Sequence, residues 1–415
     1  MALSPDRQNQ LESRPEASRV EIAVVGAGPA GLTAAIALAA AGVETALVAK
    51  RPAPPDNRTT ALLAGSVRAL ETLGVWESCR DRAAPLEAIR IIDDTRRLIR
   101  APEVVFHAAE IGLEAFGHNI ENHELLAALD SRAASLPQLM RIDQAAAAIE
   151  IESDRARLRL ADESRLEARL VIGADGRRSL CRAAAGIESD AFDYGQSALT
   201  LNLRHSRPHA GVSTEFHTQS GPFTLVPLPG TRSSLVCVAA SREAERLGSL
   251  PPPALAREIE CRAHSILGEI ALETEPGIFP LGVETARRVC ADRIALIGEA
   301  AHALPPIGAQ GLNLGLRDAA TIAELAAAAR RAGRDPGSPE VLTGYETSRR
   351  ADVTTRAFAV DLLNRSLLSD FLPVQGIRGL GLYLIDRIGP LRRALMREGV
   401  APALAAPRLM RGEAL

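Results

Sequence analysis

Apolar positions along this chain fall into short strand-length runs and longer helical stretches. Residues 20–25 form an apolar run rich in β-branched side chains. Three glycines follow, then an alanine-rich stretch, a good helix former, that stops at Gly42, a suitable C-cap. Residues 44–49 read as a second parallel strand. Residues 58–73 read as a helix ending at Gly74, and 121–134 as a helix capped by Asn122. β-type stretches broken by charge occupy 86–109. Alternation at 149–152 and 155–160, on either side of Ser153 and Asp154, predicts a hairpin, and 166–172 an apolar strand. From 192 to 240 strands dominate, separated by Gly, Pro and Ser turns. Residues 252–266 and 311–329 read as helices, 293–297 as a short strand, and helices close the chain from Tyr345. The pattern predicts an α/β fold: a Rossmann-like nucleotide-binding domain, an inserted and mainly antiparallel sheet domain, and a helical C-terminus.

The three glycines are Gly26, Gly28 and Gly31, spaced G-x-G-x-x-G between strand and helix. Gly26 permits a tight turn, Gly28 lets a pyrophosphate approach the backbone, and Gly31 lets helix and strand pack closely. The helix start offers free N–H groups and partial positive charge to a phosphate. The same glycines also suit a plain strand-to-helix turn. An acidic residue usually ends the second strand of such a unit and holds a ribose. Here Ala49 and Lys50 occupy that position, which places Lys50 or Arg51 near an adenosine instead.

Composition narrows the field. The chain has 415 residues, 47% hydrophobic, with a formal charge of −3, so nothing argues for nucleic-acid binding. Lys50 is the sole lysine. Five scattered cysteines without a C-x-x-C pattern support neither a disulfide framework nor a zinc site, and no metal is expected; a reducing, cytoplasmic setting fits. Residues 1–19 are polar and read as a loose tail rather than a signal peptide. No run approaches the ~20 apolar residues of a membrane span.

Two further segments repeat the strand–turn–helix pattern. Residues 171–182 run VIGADGRRSLCR, with Gly173, Asp175 and Gly176 in the turn. Residues 296–318 run LIGEAAHALPPIGAQGLNLGLRD. Pro305 and Pro306 stiffen that turn, and Gly308 and Gly311 allow a flat ring to approach the backbone. A helix starting near Gly311 aims its positive end at whatever lies there. Together the three segments resemble the class A flavoprotein monooxygenases, the group that includes p-hydroxybenzoate hydroxylase. Residues 308–319 (GAQGLNLGLRDA), 58–76 (RTTALLAGSVRALETLGVW) and 116–129 (FGHNIENHELLAAL) are similar to the ubiquinone-biosynthesis hydroxylases. The family's Asp in the third motif is Glu299 here, one methylene longer.

The resemblance implies FAD as cofactor. Carried over residue by residue, it implies contacts from Gly26, Ala27, Gly28, Pro29, Ala30 and Gly31; from Lys50, Arg58, His118 and Asp175; and from Gly298, Glu299, Pro306, Gly308, Gln310, Gly311, Leu312 and Asn313. Arg58 reads otherwise as a surface arginine before a helix, Asp175 as a turn aspartate, and His302 as structural. Within this frame residues 20–84, 113–188 and 285–345 form the FAD-binding domain, 85–112 and 189–284 the substrate domain, and 346–415 the helical C-terminal region.

Reduced FAD would activate O2 for transfer of one oxygen atom to the ring of a prenylated phenol, a ubiquinone precursor. NAD(P)H, or a reductase partner, would supply the electrons. Water must be excluded, a task that suits residues 222–228 (PFTLVPL), which equally suit ordinary sheet core. No catalytic base is assigned; Tyr194 and His217 lie in the sheet domain with their facing open. Residues 362–396 mix apolar residues with arginines, an amphipathic pattern that fits peripheral contact with the inner face of the cytoplasmic membrane, and equally packing on the flavin domain or a second subunit. Other ubiquinone-biosynthesis proteins are expected partners. Three other readings stay open: a soluble monooxygenase of a small phenol, a flavin dehydrogenase or prenyl reductase, and an idle FAD-binding scaffold.

Overall fold

The computed structural model describes residues 18–50, 58–95, 100–306, 309–368, 387–400 and 406–415. Arg51, Gly308, the 52–56 loop, the tail up to residue 17 and residues 369–386 of the amphipathic stretch lie outside them.

The chain begins with β1 (Ser18–Val25), two residues earlier than its apolar run, and enters α1 (Pro29–Ala40), buried from Gly31 to Ala39. β2 (Thr45–Val48) follows. Residues 58–73 are not one helix: β3 (Thr59–Leu63) precedes α2 (Ala64–Thr72). Pairing with a distant strand overrides the local helical spacing there, as it does for many strands. Next come β4 (Ala83–Pro85), β5 (Ala88–Asp93), β6 (Val104–His107), β7 (Gly117–Glu121) and α3 (Asn122–Ala134). Asn122 is the first residue of α3 and not its cap; its Oδ1 accepts from Thr60 Oγ1 at 2.6 Å, tying β3 to the helix. β8 (Leu139–Ile142) leads to the expected hairpin, β9 (Ala146–Ile151) and β10 (Ala156–Leu160), then to β11 (Arg165–Gly173) and α4 (Leu180–Ala184).

Four long strands follow: β12 (Ser189–His205), β13 (Val212–Thr218), β14 (Gly221–Leu228) and β15 (Arg232–Ala240). α5 (Ser241–Gly248) and α6 (Pro252–Arg262) cross them. The chain continues through β16 (Ile270–Leu272), β17 (Gly277–Ala286), β18 (Cys290–Ala291), β19 (Ile294–Leu296) and β20 (His302–Ala303). It closes with α7 (Gln310–Arg331), α8 (Pro339–Leu368) and α9 (Gly389–Val400). The periodicity had not foretold α5 or β17.

Three sheets result. The first runs β18-β19-β11-β1-β2-β8, with β10 joined to β11 and β9 to β10. Its strands β2, β1, β11 and β19 are parallel. Ile22, Val24, Leu170 and Ile172 are wholly buried, as a parallel sheet covered on both faces requires. The second sheet runs β20-β17-β12-β15-β14-β13-β5-β6, with β16 on β12. It is antiparallel apart from β13 and β5, so residues 88–107 join the sheet built mainly by residues 189–286. It also takes in β20, which belongs to the third glycine segment. The third, β3-β7-β4, touches β14 of the second sheet through β4 and β7 and the start of α7 through β3.

The larger core lies around the parallel sheet, α1 and α7. The second fills the space under α5 and α6, where Phe216, Phe223, Leu225 and Cys237 meet Leu247, Leu255 and Ile259. Among the described residues no helix is long and apolar enough to cross a membrane.

Candidate functional site

The three glycine segments end side by side. Val25 pairs with Val48 on one flank and with Gly173 on the other, and Gly173 pairs with Leu296. Main-chain bonds lock the turns above these strand ends: Gly26 N donates to Val48 O, Ala174 N to Val25 O, and Ile297 N to Gly173 O, at 2.8–2.9 Å. The carboxyl edge of a parallel sheet is where such folds place their ligands.

The glycines divide by what surrounds them. Gly26 has φ +110°, and a Cβ there would stand 2.3 Å from Ala174 O. A Cβ on Gly31 would stand 2.0 Å from Gly26 O. Gly298, with φ +58°, and Gly315 close on each other around the Ala30 methyl, so α1 and α7 cross without bulk between their first turns. Gly28 and Gly311 differ: a Cβ on either meets none of the described residues within 4 Å. They stand at the N-terminal ends of α1 and α7, neither of which has a side-chain cap or an acidic residue in its first turn. Two bare, positive helix ends therefore border one open surface. A pyrophosphate suits the first and an electron-accepting ring edge the second. These residues fit FAD.

The side chains named from sequence fall into three groups. Lys50 is exposed just past the end of β2, beside the first glycine turn. Arg58 is exposed, its guanidinium 5.0 Å from the Phe279 ring of the nine-stranded sheet. Glu299 is exposed, 3.8 Å from Arg177 of the second segment, and Pro306 is exposed too. Ala27 and Leu312 pack on the main core, and Gln310 opens α7.

Asp175 and Asn313 are bound mainly to protein. Asp175 accepts from Ser179 Oγ at 2.6 Å and from Cys181 N at 3.1 Å, which shapes the turn into α4. Asn313 Oδ1 accepts from Leu63 N and Ser66 Oγ, and its Nδ2 donates to Ala61 O and Ala309 O. Three of these bonds join α7 to β3 and α2, and the fourth, to Ala309 O, closes the start of α7 itself, so the side chain is fully committed to protein. His118 stands edge-on to Trp76 at 5.2 Å. Burial, then Arg80, lowers its pKa, and its Nδ1 is buried without a partner among the described residues.

The sequence reading missed the group that holds the third segment. Asp318, on α7, accepts from Gly298 N at 3.0 Å, from His302 Nε2 at 2.6 Å and from Arg349 Nε at 2.7 Å. Arg349 also donates to Asp352 at 2.6 Å. Burial pushes the Asp318 carboxyl up, but His302 and Arg349 outweigh it and bring the pKa down to about 2. Carboxylate, imidazole and guanidinium at spacings set by α7 and α8 were the available signal; nothing in the spacing said they met. Arg182 makes a second clamp, donating to Ala300 O and to Glu284 across the sheets.

The fold and this edge define a dinucleotide-binding flavoprotein of the monooxygenase type. The family described as FAD binding domain matches residues 19–358, and the chain belongs to it. It is 35% identical to the ubiquinone hydroxylase UbiL of Rhodospirillum rubrum, over 94% of this chain and 92% of that one. It is 31% identical to the 3-demethoxyubiquinol 3-hydroxylase of Escherichia coli, over 91% and 97%. Among solved structures, the p-nitrophenol 4-monooxygenase PnpA of Pseudomonas putida shares the fold, with a TM-score of 0.73 at 19% identity over 92% and 98% of the chains.

Proposed function

We propose that this protein is an FAD-dependent monooxygenase that hydroxylates the aromatic ring of a polyprenylated ubiquinone precursor. It uses O2 and electrons from NAD(P)H or a reductase. The observation that carries the reading is the pair of open helix ends at Gly28 and Gly311, in a chain that aligns over more than nine-tenths of its length with proteins named as ubiquinone and demethoxyubiquinol hydroxylases. FAD, when bound, supplies the oxygen chemistry. The chain's part is to hold the cofactor along residues 26–31, Lys50, Arg58, His118, Asp175, 298–299, Pro306 and 310–313, and to cover it. In this reading the parallel-sheet segments, 20–84, 113–188 and 285–345, form the flavin domain, and 85–112 with 189–284 the substrate domain.

In this reading the strand at 222–228 packs in the sheet core with one face and covers the flavin with the other. Phe223 and Leu225 fill the core under α5 and α6, while Thr224 and Val226 look the other way. A peripheral contact with the inner face of the cytoplasmic membrane belongs to the same reading. It is supported by α9: Ile388, just before the helix, is 43% exposed, and Leu391 and Leu395 on it are 41% and 47% exposed. These lie along one side of the helix, while Arg392 and Met396 anchor it to the protein.

The test is mass-spectrometric profiling of quinones in cells lacking the gene, with re-expression as control. An under-hydroxylated prenylphenol should accumulate and disappear on re-expression. A normal quinone pool, in cells with no second hydroxylase, would reject the substrate assignment.

A further inference from the structure

The nine-stranded sheet has one face in the core under α5 and α6. Phe216, Phe223, Cys237 and Leu199, neighbours in register on β13, β14, β15 and β12, all point there. Glu215 and His217 alternate with Phe216 and so point to the opposite face. That face meets the flavin side of the molecule. On it Ser234 accepts from Thr59 of β3 and Asn119 of β7, and Phe279 lies under Arg58. β3 in turn is held by Asn313 at the start of α7. Ala198, Val236, Val238 and Leu281 make an apolar wall on the same face.

Beside this wall stands a histidine–carboxylate pair. His217, 3% exposed, places Nε2 2.8 Å from Glu215 Oε1, and Thr224 Oγ1 donates to Glu215 Oε2 at 3.3 Å. Asp93 of β5 is the other carboxylate in register with His217, but it accepts from Thr95 and from Ala101 N. Glu215 is thus the group committed to the imidazole. Burial raises the Glu215 pKa, but the His217 contact prevails and lowers it, so the carboxylate is ionised. A carboxylate only accepts, so the neutral imidazole carries its proton on Nε2 and leaves Nδ1 as a base. The arrangement is that of a carboxylate-oriented histidine with the two ring nitrogens exchanged: here Nε2 meets the carboxylate and Nδ1 is left.

We propose that His217, oriented by Glu215, is the base that takes the phenolic proton of the substrate; the assignment rests on the monooxygenase reading above. The phenol O–H bond breaks and an N–H bond forms at Nδ1. The electron pair stays on the phenolic oxygen and enriches the ring carbon that receives the oxygen atom. The proton passes to water after product leaves. His217 is the catalytic residue here and Glu215 the positioning one.

The test uses the full-length, FAD-loaded protein with a 2-prenylphenol carrying one isoprene unit, and reads hydroxylated product and hydrogen peroxide against pH. The wild-type kcat should rise with pH through one ionisation. H217N should lower kcat by about 10²-fold or more, the usual scale of a lost general base, with KM and flavin occupancy little changed. It should also abolish that ionisation. E215Q should move the ionisation to lower pH, because the imidazole loses its anionic partner; a purely structural role would leave it in place. Wild-type kcat and pH profile in H217N would overturn the proposal. If H217N fails to retain FAD, the E215Q profile decides, and an unmoved ionisation overturns it. Product from the wild type with both variants unaffected rejects the dyad alone. Absence of product from the wild type rejects the dyad together with the reading on which it rests.

Discussion

Asp318 bears on more of the candidate site than any residue singled out from the sequence. It holds the Gly298 turn, His302 and Arg349 at once, and all three sit at positions with almost no water. Replacing it with Asn would leave the Arg349 guanidinium buried without its charge partner. A loss of about 3–5 kcal/mol is expected, visible as a lowered melting temperature and a lower denaturant midpoint. The glycines allow a sharper pair of tests. Gly26→Ala should destabilise the apoprotein, since the new methyl meets Ala174 O at positive φ. Gly28→Ala should cost the apoprotein no more than about 1 kcal/mol, the usual difference between Gly and Ala at a helix N-cap, because its methyl meets no described protein atom, yet weaken FAD retention. Equal FAD affinity in Gly28→Ala and wild type, by flavin fluorescence titration, would remove that turn from the cofactor site. Gly26, Gly28 and Gly31 were legible because their spacing reports a local turn. Asp318 and Arg349 were not, because they are 31 positions apart and meet only when α7 and α8 pack.

At the scale of elements, the two helices that begin bare were readable from composition: Pro29 and Gly311 near the starts and no acid in the first turns. Their convergence was not, since Ala30 meets Gly298 and Gly315 only in the folded chain. β3 shows the opposite failure. Its residues 59–63 have helical spacing, but β7 offers a ladder of main-chain partners and the strand wins. α9 is readable on both sides: Arg392 pairs with Glu110 and lies over Phe106, while Leu391 and Leu395 face outward. The Arg392 hydrogen bonds hold the Glu110 carboxyl down at about 2. Leu391→Glu with Leu395→Glu should abolish flotation with anionic phospholipid vesicles while flavin content stays unchanged. Undiminished flotation would exclude this helix as the lipid contact.

For the whole molecule, the sheets are interlocked rather than strung together. β20 carries the third glycine segment into the nine-stranded sheet, and Arg182 bridges the same two regions. Acid should therefore unfold the parallel-sheet and nine-stranded-sheet regions together. The folded pKa of Asp318, about 2, lies below the ~3.9 of an unfolded aspartate. The stabilisation from its network is thus complete above about pH 4 and fades as pH falls toward 2. Near-ultraviolet circular dichroism should show one transition in that window; Asp318→Asn, already destabilised at neutral pH, should lose that part of the pH dependence. The sequence by itself determined the strand–turn–helix units, the alternation that gives each strand of the large sheet two faces, and the bare helix starts. These are properties of neighbours along the chain, set by side-chain size, backbone freedom and period. Only the tertiary structure decided which units share an edge, which face of the large sheet looks at the cofactor side, and which buried charges meet. Pairings such as Arg182 with Glu284 and Asp318 with Arg349 join separate strands or helices, and no local periodicity encodes them.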